Sequence, residues 1–428
     1  MGHRSSTLFS VIIVSLFILL FSQGAYSQDR DSVKHKAQVE QALAKMSVKE
    51  KVAQLFIVEI CRNQSKETVE YQNSLVRDYG LGHIIFMGGS VWEYAQRMDE
   101  LQALSKVPIM VAIDGEWGAA MRFTEYLPYP RQAQLARIEK GAEKLLYKMG
   151  RNVGKELKDL NIYVNYAPVA DVSTHSRFYS QRSFSNDPQQ VARLSTAYMK
   201  GMQDEGIYAC GKHYPGHGAT TVDSHLAMPV IEHTRQQLDT VDLLPYYSMF
   251  ANGLEMVMLA HISFPDIDPS GVPVSISSIL INDVLKKEQG FKGIVITDAI
   301  QMKGLTNENR TPVEAALAVY KSGSDMLLMP GEPDKCIEAL TKAVENGELP
   351  MEELDNKVRR VLMLKARAGY LEEGYNPQIK NLEKKISAAK RRDARLIKKM
   401  ERLMRKSGKP VIPAAKGDPT LILDKAGK

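Results

Sequence analysis

A chain of 428 residues with 44% hydrophobic and 25% charged residues can fill one large α/β barrel or two average domains, and this balance argues against disorder over most of its length. Its three cysteines, Cys61, Cys210 and Cys336, are too few and too unevenly spaced for a disulfide framework or a cysteine metal site. The net charge of +6 belongs to one end: residues 376–428 hold 16 Lys/Arg against 5 Asp/Glu, leaving 40 against 45 in the rest.

The first segment reads as a targeting signal. His3 and Arg4 precede the apolar run Leu8–Phe21, and Ala25-Tyr26-Ser27 offers a small-residue cleavage site. The run is short for a bilayer, so residues 1–27 are expected to be a signal peptide and the mature protein to be exported, periplasmic or secreted.

Eight apolar runs follow: Val52–Ile60, Gly82–Phe86, Pro108–Ile113, Ile162–Val169, Ile207–Cys210, Glu255–Leu259, Gly293–Thr297 and Ser324–Met329. Most are short and rich in Ile and Val, as buried parallel strands are. The first could instead extend the helix before it. Helical stretches lie between the runs, at 91–104, 141–160, 188–205, 234–252, 277–288, 312–322 and 333–346. Pro188, Pro312 and Pro333 mark helix starts. The alternation predicts an α/β fold, a (β/α)8 TIM-type barrel over residues 33–375. A doubly wound open sheet is the competing layout, but no G-x-G-x-x-G follows the first strand.

Residues 376–428 read as a basic helical tail. Leu382, Ile386, Ala389, Ile397, Met400 and Met404 form a stripe on a helix over 381–404, among lysines and arginines. The expectation is a helix that packs this stripe on the barrel and solvates its basic face. Without interleaved aromatics in an exported protein, nucleic acid is not an expected partner. Contact with an anionic cell envelope is possible through the same face.

Charged residues fall at the carboxyl ends of successive strands, where barrels place their chemistry. Asp114, Glu116 and Arg122 follow strand three. Asp171 and Arg182 follow strand four, Lys212 and His213 strand five, His261 strand six and Asp298 strand seven. Asp298 follows the buried run "GIVIT", as a rigidly held nucleophile or base would, or as a structural aspartate bonded to loop amides would.

The stretch "KHYPGHGATTVDSH", residues 212–225, leaves two chemistries open. His213, His217, Asp223 and His225 could hold a metal, although Pro215-Gly216 breaks any helical i,i+4 alignment. Alternatively, Asp223 orients His225 as a proton-transferring dyad while Lys212, His213 and His217 bind substrate hydroxyls. His217 could equally hold the loop together.

This stretch resembles the signature loop of glycoside hydrolase family 3 β-N-acetylglucosaminidases. "AIDGEWGAAMRF", "NYAPVADV", "RSFSNDP", "AHISFP" and "GIVITDAIQMKG" are similar to segments of that family in the same order, and the likeness runs over roughly residues 40 to 370. The resemblance implies that Asp298 is the nucleophile of a retaining reaction. It makes His225 the general acid/base with Asp223 as its partner, and gives sugar-binding roles to Asp114, Arg122, Arg182, Lys212 and His213. It implies no cofactor and no metal, and a carbohydrate substrate carrying terminal β-linked N-acetylglucosamine, such as cell-wall fragments. It also implies the family type whose acid/base comes from the barrel itself. A monomer is expected. Three positions depart from the family pattern: Gly115 and Trp117 in "DGEWG", and Ala299, which replaces an acidic neighbour of Asp298. Trp117 either stacks on a sugar or packs in the core. The competing functions are a β-glucosidase-type family member, a non-catalytic sugar-binding protein and a metal-dependent barrel hydrolase.

Overall fold

The computed structural model describes residues 33–173, 181–220, 227–306 and 310–407. Eight parallel strands appear: β1 (Phe56–Ile60), β2 (His83–Phe86), β3 (Met110–Ile113), β4 (Ile162–Asn165), β5 (Tyr208–Tyr214), β6 (Met256–Leu259), β7 (Ile294–Thr297) and β8 (Leu327–Leu328). They pair in chain order from β1 to β7, and β8 pairs with β1 through Phe56–Leu327 and Ile57–Leu328. A parallel bridge between Ile296 and Met326 joins β7 to the β8 segment, and the amide of Asp325 donates to the Val295 carbonyl at 2.8 Å. The sheet therefore closes on itself, which decides between the barrel and the open sheet.

Strand ends are where expectation and structure differ most. Val52–Ile60 divides into the end of a helix, Val48–Ala53, and the strand β1. The apolar pattern continues through both because both are buried, so periodicity alone could not place the break. β5 runs on to Tyr214, beyond the apolar run, and every one of its residues is buried. That extension puts Lys212 and His213 on a strand rather than on a loop.

The helices start where local chemistry supplies caps. Ser90 and Glu93 form a reciprocal cap before Val91–Leu104, and Thr311 and Glu314 do so before Pro312–Ser322. Pro188, Pro312 and Pro333 each open a helix, where a missing N–H costs nothing. The stretch 234–252 is less regular than expected: π-helical turns at Leu238–Asp242 interrupt it before the helix Leu244–Ala251. The helix Met351–Arg367 was not anticipated, because its many charged residues hide a buried stripe of Leu354, Val358, Val361 and Leu362.

The C-terminal helix runs from Leu382 to Lys406. It packs on the helix Ala142–Asp159 and buries Leu382, Ile386, Ala389, Leu396, Met400 and Met404. Leu396 replaces Ile397 as the deeply buried member of the stripe, and Ile397 is only partly covered. Asp393 lies on the buried side as well.

Candidate active site

The carboxyl ends of β3, β4, β5 and β7 bring five of the six described candidate residues into one charged cluster, and Asp298 to its edge. Asp114 follows β3 directly. Its Oδ2 accepts from Arg122 Nη2 at 2.6 Å and its Oδ1 from Lys212 Nζ at 2.7 Å. Glu116, two residues on, accepts from Arg182 Nη2 at 2.6 Å and Nε at 3.1 Å, and Lys212 Nζ stands 3.0 Å from its Oε1. One lysine thus bridges two carboxylates, and each carboxylate has an arginine of its own.

Electrostatics fix the charge states. Burial opposes ionisation of Asp114, but Lys212 and Arg122 outweigh it and hold its carboxyl down at about 2. Burial opposes ionisation of Glu116 too, and Arg182 and Lys212 hold it far below the usual carboxylate range. Burial works against the Lys212 ammonium, and the two acids reverse that and raise it. All three groups are charged at neutral pH. Glu116 is fully enclosed, whereas the Asp114 side chain keeps 16% of its surface open to the barrel mouth. Glu116 organises the cations, and Asp114 presents acceptor oxygens.

Asp171 plays the same organising part beside β5. Its Oδ2 lies 2.8 Å from His213 Nδ1, and its Oδ1 accepts the amides of His213 at 3.2 Å and His217 at 2.7 Å. Burial opposes its charge, but His213, His217 and the amide bonds win, and Asp171 stays ionised. A carboxylate can only accept, so the ring proton of His213 sits on Nδ1 and Nε2 faces the mouth. That Nε2 is 4.0 Å from Oδ2 of Asp298.

Asp298 caps β7. Its own amide donates to the Leu259 carbonyl at 2.9 Å, and its Oδ1 accepts the Ala299 amide at 2.8 Å. The Ala299 carbonyl in turn lies 2.9 Å from His261 Nε2, which must donate, while Ser275 Oγ is 2.7 Å from Nδ1. The β7 turn is therefore braced from β6, and Oδ2 of Asp298 is directed toward His213. The side chain is 18% exposed, the second acid of the cluster open to the mouth.

Two glycines shape the approach. Gly218 passes so close to the 172–173 backbone that a Cβ would strike the Val172 carbonyl. Gly118 adopts φ +98°, with the Tyr129 ring 3.0 Å from where its Cβ would be. Trp117 is buried, and the Arg131 guanidinium covers its ring at 3.1 Å from the centroid. It packs in the core, and that ring face does not meet sugar.

Asp223 and His225, and the segment 1–27, lie outside the described residues. Among the described candidates, Asp114, Arg122, Arg182, Lys212 and His213 converge and Asp298 faces them. Glu116 and Asp171 stood among the strand-end acids but were not expected to carry the site. The spacing Asp114-x-Glu116 was the available signal, because alternate residues leaving a strand point the same way.

Residues 47–364 match the glycosyl hydrolase family 3 N-terminal domain. The chain belongs to that family. It is 30% identical over 337 residues to beta-hexosaminidase A of Pseudoalteromonas piscicida, covering 69% of this chain and 55% of that protein. It is 34% identical over 263 residues to a beta-hexosaminidase of Nitrosospira multiformis, covering 59% of this chain and 74% of the relative. The fold is similar to a solved family 3 beta-N-acetylglucosaminidase from Paenibacillus sp. str. FPU-7. There the TM-score is 0.74 at 28% identity, over 84% of this chain and 69% of that one. The chain thus spans about half the length of one of these relatives and about 70% of the other two.

Proposed function

We propose that this family 3 chain is a retaining β-N-acetylhexosaminidase that removes terminal β-linked N-acetylglucosamine from glycans. The observation that carries the reading is the placement of Asp298: an open, braced carboxylate at the end of β7, facing His213 and lying beside an anchored cluster of ionised Asp114, Lys212, Arg122 and Arg182. Both hexosaminidase relatives and the Paenibacillus structure support the substrate class.

In this reading Asp114 accepts from sugar hydroxyls and Lys212 and Arg182 donate to them, which holds the anomeric carbon before Asp298. A carboxylate oxygen of Asp298 forms a bond to that carbon as the glycosidic bond breaks, and the leaving oxygen takes a proton from His225. Water then attacks the glycosyl ester, His225 takes the proton, and Asp298 leaves as the carboxylate. Retaining glycosidases usually employ two carboxyl groups for these steps. The family resemblance of the 212–225 stretch is what assigns a histidine, oriented by Asp223, to the acid/base role here.

The test is hydrolysis of paired 4-nitrophenyl β-N-acetylglucosaminide and β-glucoside by the mature protein. The expected result is strong preference for the first, loss of turnover in Asp298→Ala, and a trapped sugar ester on Asp298 with a fluorinated substrate. Preference for glucose would replace the substrate by that of a β-glucosidase-type member. An unchanged rate in Asp298→Ala would remove the mechanism.

The proposal extends to an exported monomer acting on cell-wall fragments. The targeting pattern of residues 1–27 supports export, and secretion of a tagged precursor with a shortened N-terminus checks it. Exposed Lys390, Arg391, Arg395, Lys398, Lys399 and Arg402 on the C-terminal helix support peripheral contact with an anionic envelope. Salt-sensitive cosedimentation with phosphatidylglycerol vesicles, absent on neutral ones, is the expected sign.

A further inference from the structure

The C-terminal helix lies beyond the stretch that matches the family domain, yet one of its side chains reaches under the loop that follows β3. The helix is basic along most of its length. Of its three acids, Glu383, Asp393 and Glu401, Asp393 alone is fully buried, on the apolar stripe between Ala389 and Leu396. A buried carboxylate destabilises a protein unless partners receive it. Here the Tyr129 hydroxyl donates to Oδ1 at 2.7 Å and Arg392 Nε at 3.0 Å, and Asn152 Nδ2 donates to the Tyr129 oxygen at 3.0 Å.

A second buried acid stands beside it. Glu156, on the helix Ala142–Asp159, accepts the Ala119 amide on Oε2 at 3.0 Å. Its Oε1 makes no strict hydrogen bond and lies 3.9 Å from Arg392 Nη2. Burial, and then the Asp393 charge, push the Glu156 carboxyl well above the usual range. The other ionisable groups that face it are Tyr126, Tyr129 and Tyr198, each pushed up by burial and therefore neutral. Asp393 and Arg392 are the charges it meets among the described residues.

Both acids grip the same loop. The Tyr129 amide donates to the Trp117 carbonyl at 3.3 Å, its ring closes on Gly118, and Ala119 hangs from Glu156. Gln132 Nε2 holds the Glu116 carbonyl at 2.6 Å. Glu116, which gathers Lys212 and Arg182, is thus one residue from the first anchor and three from the Glu156 anchor.

We propose that Asp393 and Glu156 are positioning residues: the C-terminal helix, through Asp393–Tyr129, and the helix Ala142–Asp159, through Glu156–Ala119, set the 115–122 loop and so tune the affinity of the sugar site. This rests on the reading that Asp114, Lys212 and Arg182 bind the sugar. The alternative is that Asp393 only fastens the helix to the barrel.

The experiment compares Asp393→Ala, Asp393→Asn, Tyr129→Phe and Glu156→Gln with Met400→Ala, which loosens the same helix two turns away without touching the loop. Two readouts are taken on the full chain: KM and kcat on an aryl β-N-acetylglucosaminide, and hydrogen exchange of the peptide spanning residues 115–123. Loss of a buried anchor in Asp393→Ala and Tyr129→Phe is expected to raise KM and speed loop exchange by about tenfold, with kcat changed far less. Glu156→Gln, which offers the same oxygen to Ala119, stays near the parent at neutral pH. Met400→Ala lowers the melting temperature with little change in KM. Loop exchange unchanged in both Asp393→Ala and Tyr129→Phe overturns the inference. If Asp393→Ala does not fold, Asp393→Asn and Tyr129→Phe decide it. Should the parent hydrolyse no hexosaminide, the functional reading fails by itself, and loop exchange still answers this question.

Discussion

Lys212 Nζ lies 2.7 Å from Asp114 Oδ1, and the lysine side chain is 3% exposed. A lone ammonium so deep would shed its proton, and two buried carboxylates without it would take one up. The three charges exist because they exist together. The pair with Asp114 also turns a strand residue of β5 toward the loop of β3, so the charge arrangement and the barrel register depend on each other.

Lys212→Met therefore removes more than a sugar contact. It leaves Asp114 and Glu116 with one arginine each in a buried site, and breaking a buried pair from one side costs about 3–5 kcal/mol. The expected outcome is a large drop in the urea unfolding midpoint together with at least a hundredfold loss of kcat/KM, about 2.7 kcal/mol of transition-state stabilisation. Lys212→Arg is not expected to rescue, since a planar fork cannot stand where one ammonium meets two carboxylates. A variant with parental midpoint and activity would show that the bridge contributes nothing.

Asp114 makes a pH prediction. Its carboxyl is held at about 2 in the folded chain, against an ordinary value near 3.8. A depressed acid stabilises the fold above its unfolded value and loses that contribution as pH falls through the folded one. The window is thus pH 4 to 2, and the share of Asp114 is on the order of 2 kcal/mol. Glu116 and Asp171 are lowered too and steepen the same limb. Asp114→Asn should flatten the fall of the urea midpoint between pH 4.5 and 2.5. An acid limb as steep as the parent's would place the linkage elsewhere.

Much of this site could be read in the sequence because barrel strands end in order. Asp114, Lys212, His213 and Asp298 each follow or close an apolar run, so finding the runs found the residues. Glu116 and Asp171 were harder, since their work is to hold other side chains and strand-end position does not separate a holder from a binder. Trp117 was ambiguous for the same reason, and only Arg131 lying on its ring settles that it packs. The role of the tail was least legible. Hydrophobic periodicity found its stripe, but Asp393 counts as polar in any such pattern, and its partner Tyr129 lies more than 200 residues away.

Met400 tests how the tail is held. It is fully buried in the stripe of the C-terminal helix. Trimming a buried methionine to alanine costs about 2–5 kcal/mol, through lost transfer energy and the cavity left behind. Met400→Ala should lower the unfolding midpoint by that amount if tail and barrel unfold together. If the tail peels off first, exchange rises only in residues 382–406 while the barrel transition stays in place. Calorimetry and exchange on the same sample separate the two.

Lys365 offers the strongest stability test on the opposite side of the charge ledger. It is fully buried, its Nζ donates to Gln54 Oε1 at 2.7 Å, and burial pulls its amine down to about 7. The unfolded amine titrates near 10.4, so between pH 7 and 10 the unfolded chain binds the extra proton and stability rises with pH. Below pH 7 the folded state must carry the charge, at a constant penalty on the order of 4 kcal/mol. Lys365→Met removes that penalty but leaves the buried Gln54 oxygen without this donor, at a cost of about 1–3 kcal/mol. The variant should exceed the parent at pH 6, and its advantage should shrink steadily toward pH 9.5. Urea midpoints at pH 6, 8 and 9.5 measure this directly. A difference that does not vary with pH would mean that the amine is charged throughout and that water reaches it from the floor of the barrel.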